Sequence, residues 1–212
     1  MVAGPDAGAC DGSAGGASAT VPLFPLPHVF LFPGTRMPLH VFEPRYRELV
    51  QDLLDAHGRL VMGTVPETHV CELAGAPPVL PIAGLGEIFR HEKLPDGRFY
   101  IWLAGIARVH VREAPSDRLY RRVTITPVVE RPVCAEREPL VRQKVVKALK
   151  QHCRELDAPL DDVPLSQLSD LLLLRLRLPQ CSLAKLFCEL DIEQRCLGAL
   201  AEHARRPPSS QG

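Results

Sequence analysis

The apolar positions between residues 44 and 57 recur with the spacing of an α-helix. Pro44 suits the first turn, where its missing N–H costs nothing, and Gly58 suits the position just past the end. Six residues share one side of this helix: Tyr46, Leu49, Val50, Leu53, Leu54 and His57. This stripe predicts that the helix docks on a sheet, with His57 near the negative end of the helix dipole.

Short apolar stretches broken by turns dominate the rest of the chain up to Val129. The segment from Val21 to Tyr46 holds six prolines, which regular central strands reject, so it predicts short strands that curl into a small barrel. Further strands are predicted at 59–65, 84–94, 99–111 and 120–129, with a loop at 66–80. Asp96 and Gly97 predict a tight turn between the two central strands. Pro127 places the last strand at an edge or ends it.

The run from Phe99 to Leu103 is apolar on both faces of its strand. One face lines the barrel interior, and the other needs cover from helices, a partner or a ligand. Hairpin loops of three or four residues would swap these faces, so the register stays open. Aromatic side chains are favoured binding anchors, which makes Phe89, Tyr100 and Trp102 the candidate peptide-binding residues. The alternative is that they pack beneath the C-terminal helices.

After Pro132 the apolar pattern changes to a helical period, with helices predicted near 137–156, 166–176, 182–190 and 192–205. Ser182 and Asp191 are the expected N-caps, and Gln194 completes a capping box with Asp191. Strands followed by helices predict an α+β fold. The expected divisions are a disordered tail at 1–20, a β-barrel subdomain at 21–132, a helical subdomain at 133–206 and a disordered tail at 207–212.

Composition and charge narrow the choice of partner. The chain has 212 residues, 46% of them apolar, which suffices for one packed core with a smaller appendage. Its 25 basic and 25 acidic residues cancel, whereas nucleic-acid binders usually carry a basic excess. Arg118, Arg121 and Arg122 form a local cluster typical of a solvated strand edge. A nucleic-acid partner is therefore disfavoured.

Neither a secretory signal nor a membrane span is predicted. The first 20 residues lack a basic start and an apolar stretch, and no apolar run reaches the length of a bilayer span. We expect a cytoplasmic protein with no membrane partner. The seven cysteines are scattered and include no CxxC pair, so neither a disulfide framework nor a metal site is predicted.

The familiar catalytic motifs are missing from the sequence. It holds no Walker phosphate loop, no complete dinucleotide fingerprint, no GxSxG elbow and no HExxH helix. Glu43 is interpreted as a carboxylate at a helix start, beside a paired or solvated Arg45, and Arg108 as a structural tie at the barrel rim. We therefore predict no catalytic residue and no cofactor.

Three segments together carry a family resemblance. LFPG at 31–34, PLHVFEPRY at 38–46, and PDGR followed by Gly105 and Arg108 occur in an order that resembles the N-terminal substrate-binding domain of Lon protease, in its stand-alone bacterial form. The motif residues that this resemblance marks as scaffold are Phe32, Pro33, Gly34, Pro38, Phe42, Glu43, Pro44, Arg45, Tyr46, Asp96, Gly97 and Gly105.

The resemblance implies a PUA-like β pseudo-barrel with one packed helix, followed by a helical bundle. It also implies a non-catalytic module that binds unfolded or degradation-prone protein segments, with a protease as a further partner. The ATPase motifs and the Ser–Lys dyad of Lon belong to later domains, for which we expect no room in this chain. Two alternatives stay open. PUA-like folds also occur in RNA-binding proteins, and a hydrolase could use Glu43 or a histidine in the barrel mouth.

Overall fold

The described part of the chain, residues 19–72, 75–152 and 160–206 of a computed structural model, contains six β-strands and five α-helices. The strands are β1 Ala19–Pro27, β2 Arg36–Val41, β3 Arg59–Val65, β4 Ile82–Lys93, β5 Phe99–Ala114 and β6 Arg122–Pro127. The helices are α1 Pro44–Leu54, α2 Glu138–His152, α3 Leu165–Arg175, α4 Gln180–Phe187 and α5 Ile192–Arg205, with a 3-10 helix at Glu67–Glu72. This order confirms the predicted α+β class.

The sheet closes on itself through β5. Its strand order is β2-β5-β4-β3-β1-β6, and β5 also pairs with β6. The first half of β5, up to Ala104, pairs with β2, whereas its second half, from Val109, pairs with β6. Five strands therefore form a closed ring of pairings, and β2 lies at an edge beside the first half of β5.

β1 tolerates Pro22, Pro25 and Pro27 because each half of it has a partner on one side only. Residues 19–22 pair with β6 in antiparallel fashion, and residues 23–27 pair with β3 in parallel. One edge is thus open along every part of the strand, where a residue without an N–H can be accommodated. Ala19 and Thr20, which we expected in the tail, begin this strand, and residues 1–18 and 207–212 lie outside the described residues.

α1 begins at Pro44 as predicted but ends at Leu54 rather than at residue 57. Gly58 has a φ of 66° and donates its N–H to the Leu53 carbonyl at 3.2 Å, which ends the helix in the manner expected for glycine. Four of the six stripe residues are buried against the sheet: Tyr46, Leu49, Val50 and Leu53. Leu54, the last residue of the helix, and His57, which lies beyond its end, are exposed instead.

Two strand glycines let the LFPG segment cross the sheet closely. A Cβ on Gly84 would lie 2.2 Å from the Leu31 carbonyl oxygen, and one on Gly105 would lie 2.1 Å from that of Phe32. Gly34 donates to the Gly105 carbonyl at 2.9 Å, and Gly105 donates to Thr35 at 2.8 Å. The glycines are therefore required by contact distance between two backbone segments.

One of the two predicted N-caps is wrong. The first hydrogen bond of α4 runs from Leu183 to the Pro179 carbonyl at 3.0 Å, so Ser182 lies inside this helix. Proline at the start, with its preset backbone angle, replaces a side-chain cap there. Asp191 is confirmed as the N-cap of α5, because its Oδ1 accepts from the Gln194 N–H at 3.0 Å.

Other element boundaries shift by a few residues. β6 starts at Arg122 rather than at Tyr120, whose hydroxyl instead donates to Asp52 of α1 at 2.7 Å, and it ends at Pro127. The predicted loop at 66–80 contains the 3-10 helix. The predicted end of α2 at residue 156 lies outside the described residues.

The helical layer takes part of its core from the barrel. Phe30, Phe32 and Ile82 belong to the same buried cluster as residues of α2, α3 and α5. The Phe187 ring lies 5.2 Å from that of Phe30 and 5.1 Å from that of Phe32, in tilted and edge-on arrangements that aromatic pairs favour. The two parts therefore share one interface core.

Candidate functional site

The sheet face formed by β2, β5 and β4 turns a group of aromatic and basic side chains outward. Alternation along β2 exposes Arg36, Pro38 and His40 while Val41 is buried. The register places Pro38 opposite Trp102 and His40 opposite Tyr100. We call this surface the outer face, and its members are Arg36, Pro38, His40, Phe42, Phe89, Arg90, Glu92, Tyr100 and Trp102.

The structure brings the three candidate binding residues together on this face. Phe89 is 48% exposed and Tyr100 is 41% exposed, whereas Trp102 is half-buried. A bulge between Ile88 and Arg90 leaves Phe89 as the extra residue of β4. None of the three belongs to the buried cluster of the helical layer, so the alternative of packing beneath the C-terminal helices is wrong.

Stacked cations hold two of these rings. The Arg36 guanidinium lies 5.2 Å from the centre of the Phe89 ring, and that of Arg90 lies 4.6 Å from the centre of the Trp102 ring. His40 stacks on Tyr100 with 4.8 Å between ring centres. Our sequence reasoning missed Arg36, His40 and Arg90, although the alternation around Pro38 could have indicated the first two.

The scaffold residues at the start of α1 engage one another. Glu43 occupies the N-cap position without a side-chain cap, and its Oε2 instead accepts from Arg45 Nε at 2.9 Å. The Arg45 guanidinium also lies over the Tyr46 ring at 4.6 Å, and burial raises the pKa of the Tyr46 hydroxyl. The Glu43 carboxylate thus has a fixed cationic partner, which does not favour a role as general base.

The turn residues Asp96 and Gly97 have backbone roles. Asp96 Oδ1 accepts from the Arg98 N–H at 3.1 Å, and Gly97 has a φ of 82°. Arg98 also bonds the Asp96 carboxylate, which lowers the pKa of that group. These contacts set the hairpin loop, and with it the face on which Tyr100 and Trp102 lie.

A cleft of about 240 Å³ between barrel and helices has charged walls, including Arg108, Glu130 and Asp170. Arg108 binds the Asp170 carboxylate through two hydrogen bonds of 2.7 and 2.9 Å, and bonds Glu130 at 3.2 Å. Arg195 completes the cluster by donating to Glu130 at 2.6 Å. Burial raises the pKa of Asp170, and the two guanidiniums oppose this.

The contacts of this cluster indicate a structural role. The side chains of Arg108 and Asp170 are each only 2% exposed, and both Asp170 oxygens accept from Arg108. The Arg108 guanidinium also lies 5.4 Å from the centre of the Phe32 ring and 4.8 Å from that of the Phe187 ring. Arg108 therefore ties β5 to α3, which is a firmer connection than the rim contact that the sequence suggested.

The arginines near residue 120 are largely paired with groups of the same chain. Arg121 makes two 2.9 Å hydrogen bonds to the Glu113 carboxylate and one of 2.7 Å to the Pro77 carbonyl. Arg118 lies 3.5 Å from the Asp52 carboxylate. Burial and the Asp52 hydrogen bond raise the pKa of Tyr120 to about 12, so this tyrosine stays protonated. These contacts do not favour a phosphate-binding patch.

Metal, thiol and membrane features can be judged for the described residues. Among them, no three His, Cys, Asp or Glu side chains are grouped so that they could hold a metal ion. Burial raises the pKa of Cys188, and that of Cys196 to about 11, which keeps both thiols protonated. No helix in the same residues has the length and apolar character needed to cross a membrane.

Comparison with known families decides the relationship. A family model described as the ATP-dependent protease La (LON) substrate-binding domain matches residues 20–201. The chain belongs to this family. The match includes the outer face and all of the scaffold motifs, and it confirms the resemblance seen in the sequence. Comparison with curated proteins gives no match.

Solved structures of the Lon family have the same fold. The N-terminal domain of Mycobacterium avium complex Lon protease superposes with a TM-score of 0.67 at 15% identity, covering 89% of this chain and 100% of that one. A Lon N-terminal domain protein from Xanthomonas campestris gives a TM-score of 0.62 at 24% identity, covering 86% and 98%. Because both sequence identities are below 25%, these similarities establish the fold alone.

Proposed function

We propose that this chain is a substrate-recognition module that binds unfolded or degradation-prone protein segments on its outer face. The observation that carries the proposal is the grouping of four aromatic residues on one face of the sheet: Phe42, Phe89, Tyr100 and Trp102. Exposed apolar patches on a folded protein commonly mark interaction sites, and aromatic side chains supply much of the binding energy in such sites. Unfolded segments expose the apolar side chains that this surface can cover.

Side chains rather than backbone are the expected means of recognition. β2 is an edge strand, and an extended segment could in principle pair with it. Pro38 lies in the middle of β2 and removes one backbone donor from that edge. The client segment therefore lies across the outer face and contacts the rings there.

We further propose that the module is not an enzyme and that a protease acts on the segments it binds. The absence of a catalytic motif in the sequence supports the first point. The pairing of Glu43 with Arg45, and of Asp170 with Arg108, leaves neither carboxylate poised as a free acid or base. The family relationship supports the second point.

Paired alanine variants test the proposal. Phe89→Ala combined with Tyr100→Ala removes two exposed rings, and we expect affinity for a fluorescein-labelled, chemically unfolded model protein to fall about tenfold or more. Because both rings are exposed, the melting temperature should change by only about 2 °C. Fluorescence anisotropy and thermal unfolding measure the two effects.

The control removes exposed apolar surface elsewhere. Leu119 and Val129 are 67% and 83% exposed and lie outside the outer face, so Leu119→Ala with Val129→Ala should leave affinity unchanged. Equal losses in both double variants would contradict the proposal. Trp102→Ala should also weaken client capture, and a large drop in its melting temperature would instead assign Trp102 to the core.

A further inference from the structure

We infer that the outer face selects client segments in which two acidic residues flank a large apolar residue. This inference rests on the proposed function and specifies its substrate class. Two arginines carry the inference. The sheet holds Arg36 beside Phe89 and Arg90 beside Trp102 at defined positions on the outer face.

Both guanidiniums are positioned by aromatic rings and lack acidic partners in the described residues. Arg36 lies over Phe89, and Arg90 lies over Trp102. Across residues 19–72, 75–152 and 160–206, neither forms an ion pair with a carboxylate. A stacked guanidinium keeps its edge donors available and is already ordered, which lowers the entropy cost of binding a carboxylate.

The other charged residues near the outer face do not cancel the positive charges of Arg36 and Arg90. Glu87 is paired with Arg59 through a 3.0 Å contact, so that pair adds no net charge. Glu92 lies opposite Tyr100, in the row of the sheet beyond Arg90. The centre of the outer face is therefore positive, and an acidic segment complements it.

Strand geometry sets the spacing of the preferred acids. Arg36 is on β2 opposite Ala104, and Arg90 is on β4 opposite Trp102, so their backbones are two strands and two residues apart, about 12 Å on the diagonal. An extended segment rises about 3.3 Å per residue and turns every second side chain to the same side, so acids at positions i and i+4 span about 13 Å and both face the sheet. The side chain at i+2 points to the same side and would lie over Trp102, where an apolar side chain is favoured.

Nucleic acid also combines negative charge with flat groups, but this face suits it less well. Bases bind such sheets by stacking on free aromatic ring faces. Here Arg90 covers one face of Trp102, Arg36 covers one face of Phe89, and His40 covers one face of Tyr100. Guanidinium edges remain as donors, and carboxylates accept from them in a bidentate manner.

Peptides that differ only in charge test the inference on the full chain. The probes are fluorescein-labelled peptides with the cores Glu-Ser-Phe-Ser-Glu, Gln-Ser-Phe-Ser-Gln and Lys-Ser-Phe-Ser-Lys. We expect the Glu peptide to bind about fivefold more tightly than the Gln peptide at low salt, as two exposed charge pairs allow. The Lys peptide should bind most weakly, and the difference should shrink at high salt.

Variants identify the residues responsible. Arg36→Gln with Arg90→Gln should abolish the preference for Glu while the Gln peptide still binds. Arg112→Gln removes an exposed arginine at the other end of β5 and should keep the preference. Arg90→Lys keeps the charge but loses the planar stack, so it should retain only part of the preference.

The outcomes separate the inference from the proposed function. Equal binding of the Glu and Gln peptides, with the unfolded protein still captured, would overturn the acidic preference alone. No binding of any peptide or of the unfolded protein would overturn both. Oligouridylate that binds more tightly than the Glu peptide, and is lost in the Arg36→Gln, Arg90→Gln variant, would replace this inference with RNA recognition.

Discussion

At the scale of single residues, Gly105 lies where two segments of backbone come closest. Its Cα faces the Phe32 carbonyl, and hydrogen bonds to Gly34 and Thr35 hold the LFPG segment against β5. The positive φ of Gly34, 76°, completes this crossing. Any side chain at residue 105 must push the two backbones apart, because a carbonyl oxygen cannot rotate away as a flexible side chain does.

We predict that Gly105→Ala destabilises the fold by about 3 kcal/mol, the range seen when well-packed cores are overfilled. Urea unfolding followed by circular dichroism measures the change. Gly75→Ala is the matched control, because among the described residues a Cβ there would meet only the Glu72 carbonyl, at an ordinary 3.5 Å. Equal stability of the two variants would contradict the close approach of the LFPG segment to β5.

The sequence identified Gly34 and Gly105 as motif residues but could not show why glycine is needed there. The contact joins residues 32 and 105, and such long-range proximity is not encoded in local pattern. The same limit explains why Arg36 and Arg90 escaped notice. Each is an ordinary strand residue until the register places it beside an aromatic ring.

At the scale of elements, the two N-cap predictions show where local signals succeed. Asp191 precedes α5, and its side chain accepts from the Gln194 N–H. Ser182 has the same kind of side chain, yet Pro179 starts α4 three residues earlier. Two start signals competed, and the rigid proline, not the polar side chain, determined the helix start.

Alanine substitution distinguishes the two positions. We predict that Asp191→Ala costs about 1 kcal/mol of unfolding free energy, because an N–H of α5 loses its acceptor. Ser182→Ala should change it by less than about 0.5 kcal/mol, since alanine is favourable inside a helix. Chemical denaturation of the two variants provides the measurement, and a larger loss for Ser182→Ala would contradict the assigned caps.

The regular elements were the most predictable part of the fold. α1 and the β4–β5 hairpin follow directly from apolar spacing and turn residues. The divided pairing of β1 was not predictable, because its two halves join strands that are distant in the sequence and opposite in direction. Prolines indicated irregular strands there without showing which partners they would have.

At the scale of the whole molecule, one charged cluster joins the barrel to the helical layer. Arg108 comes from β5, Asp170 from α3, Arg195 from α5, and Glu130 from the segment between the barrel and the helices. Buried ion pairs of this kind stabilise a protein little compared with apolar packing. Removing one partner is nevertheless costly, because the other charge then stays buried without compensation.

We therefore predict that Arg108→Met destabilises the protein by about 3–5 kcal/mol, because Asp170 loses both of its hydrogen bonds from Arg108 and keeps only the 3.4 Å contact of its Oδ1 with Arg195 Nε. Adding Asp170→Leu should recover part of this loss, because both opposite charges are then absent while Arg195 keeps Glu130. Arg59→Gln breaks an exposed pair with Glu87 and should cost at most about 1 kcal/mol. Thermal and urea unfolding of these variants measure the changes. If the double variant recovered no stability, the ion-pair explanation would be contradicted.

The shared interface has a consequence for synthesis. Arg108 leaves the ribosome 62 residues before Asp170, and Phe32 emerges earlier still. At about 5–20 residues per second, the strands wait roughly 3–12 s before α3 can cover them. During that interval the newly made barrel exposes phenylalanine rings and an Arg108 that still lacks Asp170. A module that we propose to bind unfolded chains thus passes through a stage in which it is itself incomplete, with the kind of exposed apolar surface that such chains present.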